Sequence, residues 1–147
     1  MRKKTLLGII ISLILVGCGD SAFPELNDDG VALNTEEYIF DDNCNDVIFH
    51  EFEYNGRKYL EYGSIKGILK KKNIDKCVGY IVQGDNSKNV RVYTLAEDAE
   101  NNFLIDYVVD SNELITPFVW RAEDTKEKDI DIPQYILPAD CYSQIWN

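Results

Sequence analysis

Apolar and polar residues alternate with period two through most of the chain beyond residue 46, and turn-forming clusters break that alternation at short intervals. The sharpest local pattern is Asp46–Tyr54, then Asn55-Gly56, then Arg57–Gly63. Asn-Gly between two aromatic-rich runs predicts a type I′ hairpin turn, because both residues tolerate positive φ. A two-residue loop sets the register: Tyr54 faces Arg57, Glu53 faces Lys58, Phe52 faces Tyr59 and His50 faces Glu61. An opposite-charge pair then lies on one face and an aromatic pair on the other.

Further strands are expected at Lys76–Gln83, Val90–Leu95, Phe103–Val109 and Leu114–Trp120. Pro117 has no N–H for a ladder, so the last of these reads as an edge strand or a bulged one. No window of helical length carries a 3.6-residue period, although Pro138–Trp146 suits a short closing helix. The expected fold is mainly β, a small antiparallel barrel or sandwich of about six strands. The organisation expected is residues 1–17 as a leader, 18–45 as an acidic tether and 46–147 as the β-rich ectodomain.

The N-terminus follows a different pattern. Arg2, Lys3 and Lys4 precede an apolar run of 11 residues, Leu6–Val16, interrupted only by Gly8 and Ser12. A mature transmembrane helix needs about 20 apolar residues, so this run suits a secretory signal that is removed. The run closes on Leu15-Val16-Gly17-Cys18, which resembles the lipobox of bacterial lipoproteins, with Cys18 as the modified residue. The resemblance implies diacylglyceryl transfer to the Cys18 sulfur, cleavage before Cys18 and, in many bacteria, palmitoylation of the new amino terminus. Each buried methylene contributes about 0.8 kcal/mol, so two or more chains make attachment stable. The expected location is the extracytoplasmic face of the cell membrane. In a host with two membranes, Gly19 in place of an acidic residue favours the outer one.

Charge changes the picture further. The chain carries 15 Lys and Arg against 26 Asp and Glu, a net charge of −11. Removing the leader leaves 12 basic and 26 acidic side chains, a balance of −14 over 130 residues. That excess argues against general nucleic-acid binding, which draws its affinity from Lys and Arg. Eleven acids and no base occur from Thr5 to Gly56. Residues 18–45 therefore read as a self-repelling, extended spacer, with Glu37–Phe40 as an alternative edge strand. Nine bases against three acids fill Arg57–Arg91, including Lys66 and Lys70-Lys71-Lys72. A basic turn of this kind either keeps strand ends soluble or touches anionic headgroups.

Candidate chemistry is sparse. His50 is the sole histidine, and the hairpin register sets Glu61 across from it. A small hydrolase or thiol enzyme using His50 and Glu61 is one alternative, yet no nucleophile elbow, zinc-binding helix or phosphate loop accompanies them. Asp41–Asp46 offers oxygen ligands, but an EF-hand frame started at Asp41 has Asp46 where Gly is needed and Phe52 where Glu is needed. A calcium-dependent module is thus the weaker alternative, and no metal site, cofactor or catalytic set is assigned. Cys44, Cys77 and Cys141 remain once Cys18 is acylated; Cys44–Cys141 is the favoured pair if a disulfide forms. Cys77 sits mid-strand as a small hydrophobe. Tyr59, Tyr62, Tyr80 and Tyr93 are candidates to share a binding face. The reading that results is a lipid-anchored, non-catalytic binding module for an unknown protein or cell-wall partner. Its sharper version is an inhibitor-like or immunity-like protein that engages a basic exported protein.

Overall fold

The computed structural model describes residues 23–38, 48–84, 88–109 and 116–146. The leader expected at 1–17, Cys18, Asp41–Asp46 and Cys44 lie outside the described residues. Nine strands occur among those described: β1 (Val31–Leu33), β2 (Glu36–Tyr38), β3 (Phe49–Tyr54), β4 (Arg57–Ile65), β5 (Ile74–Ile81), β6 (Val90–Leu95), β7 (Phe103–Val108), β8 (Phe118–Ala122) and β9 (Ile136–Pro138). A one-turn helix, α1 (Ser143–Trp146), closes the described chain.

The predicted hairpin forms with its expected register, Tyr54 opposite Arg57, Glu53 opposite Lys58 and Phe52 opposite Tyr59. Asn55 and Gly56 both take positive φ, 52° and 72°. The ion pair differs from the expected one. Lys58 Nζ reaches diagonally to Glu51 Oε1 at 3.1 Å instead of to the directly opposed Glu53.

The sheet runs in the order β1-β5-β6-β7-β8-β4-β3-β2, with β9 added beside the second half of β4. It is mixed, because β1 pairs parallel with β5 while the other pairs are antiparallel. The six-stranded, purely antiparallel expectation is corrected on both counts. Three-residue strands are too short to show a period, and alternation carries no information about strand direction. Residues 23–38, which composition presents as tether, are built into this architecture. Glu36–Tyr38 is an edge strand on β3, and Val31–Leu33 pairs with β5. At Gly79 a Cβ would meet the Val31 carbonyl, so this close approach of β1 requires glycine. Pro117 precedes β8, which is an interior strand between β4 and β7 and no edge. Its missing N–H therefore falls outside the ladder.

The two edge strands, β1 and β2, are joined by Asn34 and Thr35 alone. Three peptide steps span at most about 11 Å, so the sheet must curl until its edges approach each other. The result is a half-barrel with two differently filled faces. Leu33, Phe52, Tyr59, Val78, Val92, Leu104, Trp120 and Ala122 form one apolar cluster that joins edge strand β1 to β3 near the other edge, and this is the inside. The outer face carries Tyr62, Leu69, Cys77, Tyr93, Phe103, Ile105 and Val119, covered by Phe23, Leu26, Ile130, Tyr135 and Trp146. Tyr59 therefore lies inside, whereas Tyr62 and Tyr93 lie outside, and the four tyrosines share no single face.

One end of the half-barrel is stitched shut. Arg57, at the hairpin, uses its whole guanidinium fork: Nε and Nη2 donate to the Asp124 carboxylate, Nη1 to the Glu100 and Asn101 carbonyls, and Nη2 to Asn102 Oδ1. The Tyr59 hydroxyl donates to the Asn101 carbonyl at 2.7 Å.

Candidate functional site at the barrel mouth

The opposite end is open. On β3, His50 and Phe52 share the inward face by alternation, and on β4 Glu61 lies across from His50. On β7, Asp106 follows Leu104 on that same face. On β8, Trp120 stands opposite Leu104 on one side and opposite Glu61 on the other. Strand period and register alone therefore bring two carboxyl groups and an imidazole around one indole. The β4–β8 ladder shifts register between Glu61 and Gly63, immediately after the acid. Tyr62, the next residue, lies on the outer face, as alternation from the inward Glu61 requires.

These groups border a cavity of about 400 Å³, walled by Ile81, Val90, Val108, Phe118 and Trp120 and edged by Thr35, Gln83 and Thr116. The expected His50–Glu61 pair is present. The His50 backbone N–H donates to Glu61 Oε2 at 3.0 Å, and Nδ1 lies 3.2 Å from Oε1. The other ring nitrogen, Nε2, makes no hydrogen bond among the described residues. The Glu61 side chain is 11% exposed and that of His50 43%, so the pair sits at the lip with the acid inward.

Asp106 is the residue that motif reasoning missed. Trp120 Nε1 donates to its Oδ2 at 2.8 Å. Burial pushes its carboxyl up to about 6, the Glu61 charge pushes the same way, and N–H donors from Trp120 and the Phe118 backbone pull against them. Its trace in the sequence is a lone acid within Phe103-Leu104-Ile105-Asp106-Tyr107-Val108, on the inward face where an apolar residue is the norm.

No cysteine is among the residues lining this cavity. The Cys77 thiol donates to the Gly79 carbonyl on the outer-face side, and burial holds its pKa above the usual thiol range. Cys141 is exposed, and its pairing with Cys44 falls outside the described residues. Among the described residues, no group of three acidic, His or Cys side chains is placed to hold a metal ion. Nor is any described helix long and apolar enough to cross a membrane.

The mouth thus combines an apolar wall with two carboxyl groups for which the described residues supply no Lys or Arg. Chemically it suits a cationic group carried on an apolar stem. Set against models of known families, curated proteins and solved structures, the chain matches none.

Proposed function

We propose that this protein is a lipid-anchored surface module that captures a positively charged group of an exported partner in the barrel mouth. The observation that supports this reading is the convergence of Glu61 and Asp106 on one apolar cavity to which the described residues bring no fixed cation. An amine or guanidinium would replace water at those carboxylates, while its methylenes lie along Trp120 and Phe118. A basic side chain of an exported protein has this form, in keeping with an inhibitor-like or immunity-like role. The acidic excess would speed encounter more than it deepens affinity.

The test is capture of exported proteins on the mature chain at low and high salt, with wild type beside Asp106→Asn. A basic partner held at low salt and released at high salt is expected. Retention by wild type should strengthen as pH rises through about 6, where Asp106 ionises, and the variant should lose that dependence. Equal retention by both forms at every pH would remove the mouth from the binding site.

A hydrolytic reading draws on the same cavity, because Glu61 orients His50 and a carboxyl group near 6 is suited to donate a proton. It predicts turnover of the captured partner, whereas the binding reading predicts that the partner is recovered intact.

A further inference from the structure

We infer that the loop 66–72 and the wall beside it form a membrane-docking face that seats on anionic phospholipid headgroups. The inference rests on the lipid anchor proposed above, and four features converge on it.

The first is the length of the leash. Phe23 packs edge-on against Tyr93 and Tyr107, with ring centroids 5.7 and 5.1 Å away, and Glu25 pairs with Arg91 at 3.8 Å. Only residues 19–22 separate Phe23 from Cys18. Five peptide steps reach at most about 18 Å, so an acylated Cys18 keeps the β6–β7 wall close to the bilayer.

The second is the neighbour of Phe23. A groove of about 260 Å³ is lined by Phe23, Gly67, Ile68, Leu69, Tyr107 and Pro117. The face nearest the anchor is therefore also the face that presents this loop.

The third is the loop's apolar tip. Gly67 takes φ 81°, turning the chain so that Leu69 is buried at 7% exposure while Ile68 is 85% exposed, more than any other large hydrophobic side chain described. An isoleucine held outward at the leash end is placed to enter the headgroup boundary.

The fourth is charge. Lys66, Lys70, Lys71 and Lys72 flank Ile68, all are exposed, and none pairs with a carboxylate among the described residues. In a chain whose remaining surface repels an anionic leaflet, this patch is the side it attracts. Each lysine near such a surface strengthens attachment about fivefold. Thr116 borders both this groove and the mouth cavity, so docking would hold the mouth at the edge of the membrane-facing side.

The experiment uses the full chain, processed and purified from membranes. It is reconstituted into vesicles of phosphatidylcholine alone or with about one-third phosphatidylglycerol, some lipids carrying bromine as a contact quencher. Ile68→Trp is compared with wild type, whose Trp120 and Trp146 supply the background. Co-flotation and palmitate labelling are read on the same samples. The expected result is flotation of both forms with extra quenching of Ile68→Trp in anionic vesicles. High salt, or glutamine at all four lysines, should abolish that extra quenching without stopping flotation.

Flotation without extra quenching overturns the docking face and leaves the anchor standing. Absence of both palmitate and flotation overturns the anchor, and this inference with it. Retention on a purified anionic wall polymer, again without extra quenching, assigns the lysines to that polymer and overturns membrane docking. Melting curves of the Ile68→Trp and four-glutamine variants that match wild type confirm that these exposed positions report contact and not folding.

Discussion

The two ends of the half-barrel treat charge in opposite ways. At the hairpin end, the Arg57 guanidinium meets Asp124, Asn102 and two backbone carbonyls, so every donor of the fork has an acceptor. At the mouth, Glu61 has a half-exposed His50 and Asp106 has an indole N–H, with no arginine or lysine at either acid among the described residues. Both ends belong to the same strands and lie only a few residues apart along them. What differs is whether the fold supplies the countercharge itself or leaves that to something that binds. A satisfied end contributes stability, whereas an end of under-compensated carboxyls lowers stability and leaves a surface able to take a cation.

Breaking the stitched end should have the largest effect. Arg57→Ala removes all five of these hydrogen bonds and takes the donor from the Glu100 carbonyl and the Asn102 amide oxygen, while Tyr59 still donates to the Asn101 carbonyl. Unfolding in urea should show a loss of about 2–4 kcal/mol. Arg57→Lys should recover little of it, because an ammonium cannot reproduce the planar fork.

At the mouth the sign should reverse. Burial places Asp106 at about 6 in the folded chain, against an ordinary value of 3.8. The folded state therefore holds that proton more tightly than the unfolded state. The stability it contributes is complete below about pH 4 and is lost as pH rises through about 6. Asp106→Asn keeps an acceptor for the Trp120 N–H and cannot ionise. It should be more stable than wild type by about 2–3 kcal/mol at pH 7.5, with the gain vanishing near pH 4. A series of urea melts across that range tests this, and a variant weaker than wild type at pH 7.5 would erase the contrast between the two ends.

The smallest effect belongs to the lateral surface. Lys58→Ala breaks an exposed ion pair with Glu51 and should cost about 0.5 kcal/mol or less, a difference that salt should remove.

Much of the strand inventory was legible in local pattern. The Asn55-Gly56 turn, its register and the meeting of His50 with Glu61 follow from two residues that accept positive φ and from the period of a strand. The strand at Val90–Leu95 and the face shared by Phe103, Ile105 and Tyr107 follow from alternation. β2 was legible only as an alternative, the edge strand read at Glu37–Phe40, and β1 not at all, since three residues flanked by Asn, Asp and Glu look like spacer until a sheet edge is there to pair with them. Pro117 misled for a related reason: a proline just before a strand and one within it look alike when the first ladder bond is unknown.

What the sequence determined by itself was local: an acidic chain, a strand-rich body and one hairpin with its register. These depend on contacts between near neighbours, or on side-chain chemistry that needs no fold. Tertiary structure alone decided that Asp106, some 45 residues from Glu61, would share a cavity with it, and that Phe23 would lie beside Ile68. The order of strands in a sheet and the degree of its curl arise from packing between distant segments, and no local pattern encodes which segment a strand will choose as its neighbour.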